Sequence, residues 1–64
     1  MSDFVDRLKA EKDELDTKKL KLWEFLNSDK IDKIDTTQYY LLKAQFNVMS
    51  AYSDILKDRI SLLG

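Results

Sequence analysis

The sequence predicts an all-α protein, an antiparallel two-helix hairpin that assembles into a symmetric helical-bundle oligomer, and three observations carry that expectation. There is no proline, and the single glycine is residue 64, so backbone chemistry interrupts no helix outside the segment from Asn27 to Asp35. Apolar residues recur at seven-residue spacing on both sides of that segment. The second half also carries a wider apolar arc than the first half can cover.

The chain reads as one domain, 1–64, with its first helix over about 3–26. Ser2 is a good N-cap, and Asp3 and Asp6 put negative charge in the first turn, where the helix dipole favours it. Asp3 with Arg7 and Glu14 with Lys18 stand four apart in the orientation that supports a solvated helix, each pair contributing about 0.2–0.5 kcal/mol. Leu8, Leu15 and Leu22 form a seam, widened at its ends by Phe4, Val5, Trp23, Phe25 and Leu26. Glu11, Lys12, Lys18 and Lys19 flank the middle, so the seam there is one leucine wide. Trp23 and Phe25 are expected to cap the core near the loop.

The connection, 27–35, reads NSDKIDKID. Asn, Ser and Asp compete for backbone hydrogen bonds and favour caps and turns, so this segment is where the chain reverses, with room for one helical turn. Ile31 and Ile34 are expected to tuck it onto the hairpin. A straightened connection, giving a rod or helices exchanged between chains, is the alternative topology.

The second helix is expected over about 36–63, opened by Asp35 and Gln38 at the spacing of a capping box. Leu41, Val48, Ile55 and Leu62 form one line and Leu42, Met49, Leu56 and Leu63 the next. Tyr39, Phe46 and Ile60 add a third, with Ala44 and Ala51 on the opposite margin. These lines exceed the stripe of roughly 100° that suits a helix lying on one surface. The first two are therefore the expected interface between copies, since a bare apolar strip of this length invites aggregation.

Gln38, Gln45, Tyr52 and Arg59 form a polar row beside those lines. If buried, each needs a partner, because an unpaired amide costs roughly 1–3 kcal/mol and a charge more. Two readings stay open. The row sets register and oligomer order, as buried polar groups do in coiled coils; or several copies of Gln45, Tyr52 and Arg59 converge on a pocket in which the guanidinium meets phosphate or carboxylate and the ring stacks.

Composition narrows the function classes. With 11 basic and 12 acidic residues there is no field to gather a nucleic-acid polymer or an anionic membrane. No run of roughly 18–20 apolar residues spans a bilayer, and the charged N-terminal stretch is unlike a secretion signal, so the expected location is cytoplasmic. With no histidine or cysteine there is no disulfide, no usual zinc site and no common general base or thiol nucleophile, so neither cofactor, metal nor catalytic residues are expected. Asp13, Glu14 and Asp16 read as a solvated face, and so do Lys18, Lys19 and Lys21 near Trp23. A chain this short buries only about 60% of its unfolded surface, and self-association is the supplement open to it.

The series Leu41-Leu42, Gln45, Met49, Tyr52, Leu56, Arg59-Ile60, preceded by Phe4-Val5-Asp6-Arg7-Leu8 and Glu14-Leu15, resembles a family of very small helical-hairpin proteins encoded by tailed phages and prophages, including crAss-like phages. The resemblance covers nearly the whole chain. It implies a phage protein acting in the host cytosol, of a size common among counter-defence factors. Similar compact helical families include symmetric oligomers that sequester cyclic nucleotide immune signals, which makes Gln45, Tyr52 and Arg59 the matching ligand positions. The alternatives are an inhibitor or adaptor that lays its second helix on a host protein, and a packaging or scaffolding helix.

Overall fold

A computed structural model describes residues 3–63, and every regular element among them is helical. Helix α1 runs Asp3–Leu26, a 3-10 turn covers Asp29–Lys33, and helix α2 runs Thr36–Leu63. Ser2 lies outside the described residues. The helices pack antiparallel: Phe4 meets Arg59 near one end, and Lys19 meets Phe46 towards the other.

Two hydroxyl- and amide-bearing side chains turn the corner. Asn27 Nδ2 donates to the Trp23 carbonyl at 2.8 Å, closing the end of α1. Ser28 Oγ donates to the Phe25 carbonyl at 2.8 Å and accepts from Lys30 N at 3.3 Å, so one hydroxyl ends α1 and starts the 3-10 turn. Ile31 and Ile34 are half-buried. At the start of α2, Asp35 contributes its backbone carbonyl, which accepts from Tyr39 N at 3.0 Å. The reciprocal side-chain bonds of the expected capping box are not formed among the described residues.

Leu8 and Leu56 are the fully enclosed apolar side chains, with Val5, Leu15, Leu22 and Leu26 of α1 half-buried around them. From α2 come Leu42, Met49 and Leu56 on one line and Tyr39, Phe46, Ser53 and Ile60 on the other. These two lines alternate at three- and four-residue spacing, the geometry of a helix–helix seam. That corrects the expected interface: Leu42, Met49 and Leu56 lie on the face that packs against α1, and Leu56 has no surface left for another copy. Leu63, at the helix end, is half exposed.

Two further expectations change. Trp23 stands 51% exposed instead of capping the core. The ion pair that closes among the described residues is Lys12–Asp16, at 2.6 Å, and neither Asp3–Arg7 nor Glu14–Lys18. Asp16 is turned inward by a bond to α2, which places it where Lys12 can reach it.

The hairpin is long and thin, 47 × 15 × 13 Å. Its radius of gyration is 14.6 Å, against about 10.7 Å for a compact domain of this length. It exposes 5102 Å², where a compact monomer of its mass exposes about 4,300 Å².

Candidate functional site

The flank of α2 turned away from the core is the larger candidate surface. Leu41, Val48, Ile55 and Leu62 are 57, 68, 55 and 87% exposed. Each follows by three residues a member of the polar row, Gln38, Gln45, Tyr52 and Arg59, and all four of those are exposed too. Together they repeat the three- and four-residue spacing of the buried seam, shifted by one residue, which is about 100° around the helix. Helix α2 therefore carries two seams, an inner one filled by α1 and an outer one open.

The polar row is not buried in the single chain, so it fixes no register there. Arg59 leans back over α1, its guanidinium carbon 5.9 Å from the centre of the Phe4 ring. An exposed contact of this kind contributes about 0.5–1 kcal/mol and steadies the guanidinium without removing it from solvent. Gln45 and Arg59 are two heptads apart, roughly 21 Å along the axis at 1.5 Å per residue, with Tyr52 midway. One hairpin places all three on one flank and does not bring them around one small ligand.

The opposite flank holds an open groove of about 530 Å³ between the helices, bordered by Lys12, Asp16, Lys19, Trp23, Phe46 and Lys57 among others. Asp16 is its fixed point: Oδ2 accepts from Lys12 Nζ at 2.6 Å and Oδ1 accepts from Ser53 Oγ at 2.6 Å. The Lys12 hydrogen bond, followed by that of Ser53, holds the Asp16 carboxyl below its usual range. The same bond raises the Lys12 ammonium above its own. Lys19 Nζ lies 5.6 Å from the Phe46 ring centre. Two of the groove's cations are thus already engaged, one by a carboxylate and one by a ring. Asp16 stays an anion at neutral pH and is poorly suited to donate a proton.

Sequence reasoning placed Asp16 on a solvated face and gave the register role to the polar row. The structure gives a cross-helix bond instead to Ser53, which is buried to 5% exposure. A signal for it was present: Ser53 is the one polar gap in the line Tyr39, Phe46, Ile60, and a buried hydroxyl needs a partner. No group of three or more acidic side chains among the described residues is arranged to hold a metal, and no helix is long and apolar enough to cross a membrane.

A thin helical hairpin whose outer surface offers an apolar seam, a polar row and an aromatic groove belongs to the small helical binding proteins. The chain belongs to the Sequestin family, whose model matches residues 2–62. That name points to a sequestering role. No curated protein and no solved structure matches the chain.

Proposed function

We propose that this is a phage-type accessory protein of the host cytosol that self-assembles and sequesters a small nucleotide-class immune signal without converting it. The observation that carries the reading is the exposed row Gln45, Tyr52 and Arg59 beside an apolar seam that a lone chain leaves open. Arg59 offers the planar fork that suits phosphate, Tyr52 a ring on which a base can stack, and Gln45 an amide for a base edge. The Sequestin family name and the resemblance to small phage proteins support sequestration over turnover. The absence of histidine and cysteine from the sequence points the same way.

Thermal unfolding against a panel of cyclic mono- and dinucleotides tests it. A ligand at 100-fold its Kd adds about 2.7 kcal/mol to the folded state. In a domain this small that is a rise of roughly 10 °C or more in Tm. The ligand should be recovered intact after prolonged incubation. No shift with any member of the panel, or recovery of a cleaved nucleotide, sinks the reading.

The exposed line Leu41, Val48, Ile55, Leu62 also suits a second reading, in which α2 docks as an amphipathic helix in a groove on a host protein. Affinity capture from host lysate separates the two, because a signal-sequestering assembly recovers chiefly its own chain.

A further inference from the structure

The inner seam of α2 is filled by α1, and the outer seam has the same spacing with nothing of the described chain lying over it. The exposed area of 5102 Å² exceeds that of a compact monomer by about 800 Å², which is close to what each partner contributes to a standard protein interface. We infer that a second copy of this chain occupies the outer seam, antiparallel about a two-fold axis beside Ser50, so that Gln45 of the second copy enters between Tyr52 and Arg59 and completes a ligand cleft.

The direction follows from what meets what. Parallel copies would stack Arg59 on Arg59 and Tyr52 on Tyr52, putting like charges and polar pairs in every second layer. Antiparallel copies set each polar side chain against an aliphatic one: Arg59 opposite Leu41, Tyr52 opposite Val48, Gln45 opposite Ile55 and Gln38 opposite Leu62. Each long polar group then keeps its stem on the apolar layer and its head at the rim. Centring the pair at residue 50 engages all eight seam residues, and a slip of one heptad leaves some without partners. Ala44 and Ala51 on the seam's margin let the backbones approach, with Ala51 next to the axis.

The same pairing repairs the separation within one chain. At 1.5 Å per residue, Gln45 of the second copy lies about 4.5 Å along the axis from Tyr52 and about 6 Å from Arg59, in place of roughly 10 and 21 Å within one chain. Symmetry makes two such clefts, each suited to a planar base with a phosphate at the arginine end. The cleft as a ligand site rests on the sequestration reading; the pairing stands without it.

Light scattering should return twice the 7.6 kDa of one chain. A spin label at Ser61→Cys should give an inter-copy distance of roughly 33 Å or more, set by the 22 residues' worth of helical rise across the axis. Val48→Asp, at a position already exposed in the hairpin, should halve the mass with helical circular dichroism unchanged. A monomeric wild type, a label distance under about 20 Å as parallel copies require, or an undiminished mass for Val48→Asp each overturns the pairing. For the cleft, Gln45→Ala and Arg59→Ala chains should each fail to retain the cyclic nucleotide panel in equilibrium dialysis. Mixed one to one, they should regain about a quarter of the wild-type capacity, since half the pairs are mixed and each of those has one intact cleft. No recovery on mixing, or no binding by the wild type, overturns the cleft while mass and label distance still judge the pairing.

Discussion

The two seams of α2 run the length of one helix, one residue out of step, and they have different fates. On the inner seam Leu56 is fully buried, while on the outer seam Val48 is 68% exposed. Both are aliphatic residues on seven-residue lines, so hydrophobicity did not choose between them. The choice was made by α1, whose seam of Val5, Leu8, Leu15, Leu22 and Leu26 is interrupted by Lys12 and Lys19 and is wide enough to cover one side of α2. The difference teaches that a heptad line says where a helix can be covered, and the neighbour's width says how much of it will be.

The comparison can be broken most sharply at Leu56. Leu56→Ala opens a cavity in a core with almost nothing else enclosed, at a cost of about 2–5 kcal/mol, enough to unfold a hairpin of this size. Val48→Ala, an equivalent truncation on the outer seam, should leave the unfolding of the single chain within about 0.5 kcal/mol. Chemical denaturation of both variants at dilution, followed by circular dichroism, makes the test; equal losses would mean that the seams are not distinguished as described.

A smaller effect is expected at the polar contact that locks the inner seam. Ser53→Ala removes the hydroxyl that donates to Asp16 and should cost about 1 kcal/mol, read as a lower denaturation midpoint. Removing the amide of Gln45, on the exposed row, should not move the midpoint of the single chain.

The smallest effect is in pH. Because the folded hairpin holds the Asp16 carboxyl below its ordinary value of 3.8, this group contributes stability at higher pH that fades as pH drops past 3.8 and through the depressed folded value. The raised Lys12 ammonium contributes below 10.5 and is lost as pH climbs through its folded value. The midpoint of Asp16→Asn should therefore change less with pH than that of the wild type at both extremes. Parallel profiles for the two proteins would argue that the pair contributes nothing measurable.

Much of the architecture was legible from local chemistry. The run Asn27 to Asp35 holds the residues that bend the chain, and Ser28 does so through its hydroxyl. The candidate row Gln45, Tyr52 and Arg59 was legible as a row because seven-residue spacing fixes a line on any helix. Its burial was not legible, and neither was the turning inward of Asp16. An aspartate among Asp13, Glu14 and Thr17 looks like any solvated carboxylate until Ser53 stands opposite it.

By itself the sequence determined two helices, their reversal and an excess of apolar surface on the second, because propensity, capping and periodicity act within a few residues of chain. Only the tertiary structure decided that Leu42, Met49 and Leu56 turn inward while Leu41, Val48 and Ile55 stay outside. The two lines differ by one residue, or about 100° of helix, and nothing local prefers either. Rotating α2 about its axis exchanges them, and the rotation is set by side chains more than thirty residues away, where the Asp16–Ser53 bond and the narrow leucine seam of α1 accept one orientation.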